Sequence, residues 1–203
     1  MSTRISGGNE RGRRLRAPKS GLRPTTEKVR AAIFSMLGES VENARILDLY
    51  AGTGAMGLEA LSRGAAGADF VEGDAKACST INANIRSLGY GDRARVIRGR
   101  VEKATRSQTI LPGFIEGAGA RAGGRQGPRY DLVFIDPPYD DDPWDELLSG
   151  LSDGPLLSTD ATVVAEHGSG RNLAASYGRL RLSKTRRYGA SMVSIFDMTL
   201  ANG

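Results

Sequence analysis

Between residues 45 and 165 short apolar runs alternate with amphipathic ones, and this constrains the fold more than any other feature of the chain. Arg45–Tyr50 (RILDLY), Ala68–Glu72 (ADFVE), Ala94–Arg98, Tyr130–Ile135 (YDLVFI) and Thr162–Ala165 read as strands. Their near-continuous apolar character is what a parallel sheet covered on both faces requires. Gly54–Arg63, the stretch with Cys78, Ile81, Ile85 and Leu88 along one seam, and Val101–Ile110 read as helices. So does a segment running to about Leu151, with Asp142 and Pro143 expected as its cap and first-turn proline. Strand and helix in alternation predict an α/β, Rossmann-like doubly wound domain. Arg179–Arg187 and Ser191–Leu200, joined at Tyr188-Gly189, read as a closing strand pair with one antiparallel member. The expectation is a mostly parallel, seven-stranded sheet.

The first 40 residues stand outside this alternation. Arg4–Gly8 and Arg11–Leu15 read as two extended pieces around a turn, and Thr25 or Thr26 caps a helix with Val29, Ile33, Met36 and Leu37 on one face. We therefore expect a basic extension over 1–40 (hairpin plus helix) and the main domain over 41–203. At 203 residues and 39% apolar, the chain is sufficient for one sizeable core. Its net charge of +5 is unevenly spread: residues 1–30 carry +7, residues 31–170 carry −7 and residues 171–203 carry +5. Basic ends on an acidic body point to a polyanion, most often nucleic acid, with a solvated tail as the alternative. One cysteine excludes an internal disulfide and a cysteine-built zinc site. No apolar run reaches membrane-spanning length and the start lacks a signal peptide's apolar stretch, so a cytoplasmic protein is expected. Pro112–Arg129, with six glycines in eighteen residues, reads as a loop on the face opposite the carboxyl ends of the strands.

The first strand runs into Asp48-Leu49-Tyr50-Ala51-Gly52-Thr53-Gly54-Ala55-Met56-Gly57. A side-chain-free turn lets a ligand approach the backbone, and the helix N-terminus behind it offers N–H groups. Glu72 closes the second strand twenty residues after Gly52, where a carboxylate can accept both hydroxyls of a ribose. These features imply an adenosine-containing cofactor and do not separate NAD from S-adenosylmethionine. Asp48 does: a carboxylate inside a buried strand is costly, would repel a pyrophosphate, and would be compensated by the amino group of a methionine moiety.

Asp136-Pro137-Pro138-Tyr139 stands at the carboxyl end of the fourth strand, on the same rim. The exocyclic amine of a base is a poor nucleophile because its lone pair is delocalised. Asp136 Oδ and the Pro137 carbonyl can accept its hydrogen bonds, the prolines stiffen the turn, and Tyr139 offers a stacking face for an extruded base. The rim therefore reads as one suited to methylating an amine. Cys78 reads as core, His167 beside Glu166 as mainly structural, and Trp144 as helix packing. Asp140-Asp141-Asp142 fits helix capping, and no metal is expected.

On these residues the chain resembles the RsmD family of bacterial 16S rRNA guanine-N2 methyltransferases. The likeness runs through Arg4-Ile5-Ser6-Gly7-Gly8 with Arg11-Gly12-Arg13, Leu22-Arg23-Pro24-Thr25-Thr26 with Val29-Arg30, and Leu47–Gly54. It continues through Gly57-Leu58-Glu59-Ala60-Leu61-Ser62-Arg63-Gly64, Glu72, Asn84 and Asp136–Tyr139. The resemblance implies a class I S-adenosylmethionine-dependent fold, with Asp48, Tyr50, Ala51, Gly52, Thr53, Gly54, Gly57, Glu72 and Gly73 around the cofactor. It implies 16S rRNA as substrate, within a small-subunit assembly particle; a substrate of that size is compatible with a monomer, which is the expected state. Arg4, Arg11, Arg13, Arg14, Arg23, Thr25, Arg186 and Arg187 are the expected RNA contacts. Two features depart from the family pattern. Arg100 stands where an acidic residue usually holds the adenine, leaving a backbone group of Arg100 or Val101, or Glu102, for that role. The glycine-rich stretch at 112–129 is also long. The alternatives are an N6-adenine DNA methyltransferase, an NAD-dependent oxidoreductase and a non-catalytic RNA-binding module.

Overall fold

The structure, a computed structural model, describes residues 3–17, 26–101, 129–138 and 141–199. Arg23, Thr25, Tyr139, Glu102, nearly all of the helix expected over 101–110, and 112–128 of the glycine-rich stretch lie outside these residues.

Eight strands form one sheet: β1 (Arg45–Leu49), β2 (Gly67–Glu72), β3 (Ala94–Arg98), β4 (Tyr130–Ile135), β5 (Leu157–Gly168), β6 (Ser176–Tyr177), β7 (Leu180–Tyr188) and β8 (Ser191–Met198). Their order is β3-β2-β1-β4-β5-β8-β7-β6. The first five are parallel, and β8 runs antiparallel between β5 and β7. The seven expected strands are present, and among the described residues β6 corrects the count to eight. Two residues are too few to show a period of two; β6 exists because Gly178, at φ 55°, folds Tyr177 back onto Leu180. Strand β5 is also longer than expected, its start masked in sequence by the polar run Ser158-Thr159-Asp160.

The helices are α1 (Glu27–Leu37), α2 (Ala55–Ser62), α3 (Ala75–Leu88) and α4 (Trp144–Asp153). Thr26 caps α1 through the Val29 amide, and Asp74 caps α3 through the Ala77 amide at 2.8 Å. At α4 the expected cap is wrong: Pro143 occupies the cap position without a side-chain bond, and Asp142 instead accepts from Arg171 Nε at 3.0 Å. A charge-assisted partner from the loop after β5 outcompetes local capping there.

Alternation along the strands divides the core. Ile46, Phe70, Leu132, Phe134 and Val164 pack with Phe34, Leu58, Ile81 and Ile85 of the first three helices. Leu47, Val71, Val133, Ile135 and Val163 pack on the other face with Trp144, Leu147 and Leu148 of α4. Helix α2 lies so close to the sheet that a Cβ at Gly57 would stand 2.4 Å from Phe70 Cε1. Gly57→Ala is therefore expected to lower stability by about 1–3 kcal/mol. Urea unfolding checks this, and an unchanged midpoint contradicts the close approach.

The N-terminal residues form a hairpin, with Ile5 N donating to Arg13 O at 3.0 Å and Gly12 N to Ile5 O at 2.9 Å. Its turn sits on the end of α2: Asn9 N donates to Ser62 O at 2.8 Å, and Ser62 Oγ to Gly7 O at 2.7 Å. Gly8, at φ 77°, lies where any Cβ would collide with the Ser62 carbonyl. Ile5 and Leu15 are buried in the same core as Ile33 and Phe34. Beneath the hairpin Glu59, fully buried, accepts from Ser6 N and Ser6 Oγ at 2.7 Å each, Arg63 Nε at 2.9 Å and Arg30 Nε at 3.2 Å.

Candidate active site

Register assembles the site. Leu49 pairs with Val71 on one side and Ile135 on the other, and Ile135 pairs with Ala165. One residue further along each chain come Tyr50, Glu72, Asp136 and Glu166, so four polar residues separated by up to 116 positions share one rim. This is the crevice outside the carboxyl ends of the strands, where open α/β sheets bind ligands.

The turn after β1 is built from residues with positive φ: Tyr50 at 58°, Gly52 at 55° and Gly54 at 75°. Tyr50 is the informative one, since a non-glycine residue in this conformation is strained and must be held by its surroundings. Gly54 N closes the turn onto Ala51 O at 2.7 Å. Sequence alone suggests that the turn's amides await a ligand, but two of them are already engaged by carboxylates. Gly52 N donates to Glu72 Oε2 at 2.8 Å and Gly57 N to Asp48 Oδ2 at 2.9 Å. A pyrophosphate would have to displace both and then face the negative charge of Glu72, whereas a bound cation would favour the ionised form of the buried Asp48. A cationic, hydroxyl-bearing ligand suits this turn better.

Glu72 is fixed on both oxygens, since Asp74 N donates to Oε1 at 2.8 Å, and each oxygen keeps a lone pair for a ribose hydroxyl. Asp48 is only 3% exposed. Burial pushes its carboxyl up to about 8; the Gly57 amide pulls the other way, and the negative charges of Asp136 and Glu72 add to the rise. These three carboxylates are therefore electrostatic neighbours. The folded-state value lies above the ordinary 3.8, so the folded protein holds a proton that the unfolded chain releases. Asp48's contribution to stability is full at acid pH and is lost as pH rises from about 4 towards about 8. Asp48→Asn, which mimics the protonated acid, is expected to flatten the fall of the thermal midpoint between about pH 5 and 8. Parallel curves for the two proteins would contradict the shift.

The other residues expected at the cofactor lie in or beside this turn. Ala51 and Thr53 are buried, and Gly73 is exposed at the end of β2. Gly99 N donates to Glu72 O at 3.0 Å, which brings the backbone before Arg100 and Val101 to the same rim; Arg100 is exposed and Val101 buried. Cys78 is buried core, its thiol 3.4 Å from Glu72 O. Asn84, fully buried, accepts from Arg16 N at 2.8 Å and donates to Arg16 O at 3.1 Å and Thr53 O at 3.2 Å. One side chain thus ties the N-terminal extension to the glycine turn, a role that its place in a helical sequence does not disclose.

At the end of β4, Asp136 is half-buried, Pro137 buried and Pro138 exposed. They border a cleft of about 280 Å³ whose other walls include Trp144, Glu166, His167 and Arg171. His167 is 5% exposed, bonded through Nε2 to Ser194 Oγ at 2.9 Å and through Nδ1 to Gly168 O at 3.1 Å, and edge-on to Trp144. Burial lowers its pKa, so the ring is neutral at pH 7. Arg171 is neutralised by Asp142 and Asp145, which its guanidinium meets at 3.0 and 2.9 Å.

The expected RNA contacts fall in two places. Arg11, Arg13 and Arg14 are exposed on the hairpin and Arg4 is half-buried; Arg13 also reaches Ser87 O at 2.6 Å. Arg186 and Arg187 are exposed on β7, opposite Val193 and Met192 of β8, which in turn lie opposite Glu166 and His167. Two cations therefore stand two strands, roughly 10 Å, from the cleft wall. Among the described residues no group of three or more His, Cys, Asp or Glu is placed to hold a metal ion, and no helix is long and apolar enough to cross a membrane.

The family model described as Conserved hypothetical protein 95 matches residues 3–197. YlbH of Bacillus subtilis is 34% identical over 194 residues, covering 95% of this chain and 97% of that protein. The Ribosomal RNA small subunit methyltransferase D of Escherichia coli is 36% identical over 164 residues, covering 80% of this chain and 73% of that protein. The solved structure of yhhF from Escherichia coli superposes with a TM-score of 0.81 at 29% identity, covering 98% of this chain and 99% of that one. The fold is the Rossmann-like fold of methyltransferases. By the extent of the family match and the identity to these relatives, the chain belongs to the RsmD family, the family described as Conserved hypothetical protein 95.

Proposed function

We propose that the chain transfers a methyl group from S-adenosylmethionine to the exocyclic N2 of one guanine in 16S rRNA, on a small-subunit assembly particle, acting as a monomer. Family membership supports the coarser part: the chain is an rRNA methyltransferase that uses S-adenosylmethionine. The observation that carries the cofactor assignment is that Glu72 engages the Gly52 amide of the turn and Asp48 the Gly57 amide at the start of α2, so carboxylates and not a phosphate take these donors.

S-adenosylmethionine supplies a methyl group on a sulfonium, with the sulfur retaining the electron pair of the broken bond. The chain's own work is positioning. Glu72 holds the ribose hydroxyls and Asp48 faces the methionine ammonium. Asp136 Oδ and the Pro137 carbonyl each accept a hydrogen bond from the guanine amine, which draws the nitrogen out of conjugation and aims its lone pair at the methyl carbon. As the N–C bond forms, the surplus proton leaves N2 through the Asp136 carboxylate to solvent. Tyr139 is assigned the stacking face on sequence grounds.

The two basic surfaces hold the RNA, the hairpin cations from one side and Arg186 and Arg187 beside the cleft. Charge reversal of Arg11, Arg13 and Arg14 together is expected to weaken rRNA binding at least tenfold and to flatten its salt dependence, read from affinities at several salt concentrations. An unchanged slope removes the hairpin from the RNA interface. The assignment as a whole is tested by comparing methylated nucleosides of 16S rRNA from cells with and without the gene. Loss of one N2-methylguanosine is the expected result, and an unchanged nucleoside set contradicts it.

A further inference from the structure

The cleft beside Asp136 is lined by carboxylates, and among the described residues its one lining Lys or Arg, Arg171, is already neutralised by Asp142 and Asp145. Such a cleft rejects a phosphate and accepts a ligand edge rich in hydrogen-bond donors. Glu166, within β5, and Asp136, just past the end of β4, occupy equivalent positions on neighbouring strands, one residue past the pair Ile135 and Ala165. Strand spacing places their backbones roughly 5 Å apart. Side chains from two such neighbouring positions, both lining the cleft, can converge on two adjacent donors on one edge of a base.

We infer that Glu166 is the residue that selects guanine, accepting the N1–H of the acceptor base while Asp136 holds its N2 amine. This rests on the proposed transfer to guanine N2 and names what reads the base. Guanine presents N1–H directly beside its N2 amine, two donors in a row. Adenine presents an N1 lone pair beside its N6 amine, and a carboxylate facing that lone pair is repelled. Trp144 and the neutral His167 supply the flat, uncharged wall of the same cleft. His167 cannot serve as the reader, because both of its ring nitrogens are engaged within the protein. A site built around a hydrogen bond to one donor discriminates strongly against the analogue that lacks it, because its own buried group is then left unmatched.

The test uses small-subunit particles reconstituted with 16S rRNA in which the mapped acceptor guanine is kept or replaced by 2,6-diaminopurine. That analogue retains the N2 amine and carries a lone pair at N1. The full chain and Glu166→Gln are compared, with methyl transfer from tritiated S-adenosylmethionine giving kcat/KM and calorimetry giving cofactor affinity. For the unaltered chain kcat/KM is expected to favour guanine by about 10³-fold. In Glu166→Gln the amide can donate to N1, and the preference is expected to fall to about tenfold or less with cofactor affinity unchanged. Equal rates on the two bases with the unaltered chain overturn the inference, independently of how the variant folds. A variant that binds cofactor and slows equally on both bases, keeping the preference, overturns it too. No transfer to either particle by the unaltered chain overturns the guanine N2 reading itself, and the inference with it.

Discussion

Asp136→Ala is expected to lower kcat for methyl transfer by about 10³-fold, or about 4 kcal/mol in transition-state free energy, while cofactor affinity stays within about threefold. The asymmetry follows from position. Asp48 and Glu72 engage the amides of Gly57 and Gly52, and Asp136 lines the separate cleft proposed for the acceptor base. Its carboxylate meets the amine most strongly when positive charge builds on nitrogen, so its loss is felt in the transition state more than in the ground state. Asp136→Asn keeps one acceptor oxygen and is expected to fall between the two. Steady-state rates with tritiated cofactor, alongside calorimetric binding, check both halves. Near-unaltered turnover by the alanine variant removes Asp136 from the chemistry.

Glu59→Ala is expected to cost about 3–5 kcal/mol of stability. Arg30 and Glu59 are both fully buried, and the same carboxylate accepts Ser6 N, Ser6 Oγ and Arg63 Nε. Its removal strands a guanidinium without its counter-ion and leaves two donors of the hairpin unmatched. For a chain of this size the thermal midpoint should drop by roughly 10 °C. Glu59→Gln retains the shape and part of the bonding and should lose less. The hairpin would loosen first, so protection of the Ser6 amide from hydrogen exchange reports the local effect. A midpoint within 1–2 °C of the unaltered chain contradicts the account of how the extension is held.

Much of the sheet was legible because parallel strands covered on both faces must be apolar throughout. Arg45–Leu49 and Tyr130–Ile135 could be read almost to the residue. Glu72 and Asp136 stood out because strand ends are where the apolar pattern breaks, and Asp48 because it interrupts an apolar strand. Partnerships across long sequence distances were hidden. Arg30 and Glu59 are 29 positions apart and look like ordinary helix-surface charges, yet both are fully buried. Asp142 looked like a cap because capping is local chemistry; Arg171, 29 positions later, takes it instead. Glu166 belongs to no motif in the sequence, and only the pairing of Ile135 with Ala165 sets it beside Asp136.

The central claim is that this rim methylates guanine N2 in small-subunit rRNA, and in vitro product analysis tests it most directly. Purified protein is incubated with tritiated S-adenosylmethionine and, separately, unmethylated small-subunit particles and duplex DNA, and the labelled nucleosides are identified. The expected result is a single labelled nucleoside, N2-methylguanosine, from the particles alone. Label in N6-methyladenine from DNA, or none in any nucleic acid, would contradict it.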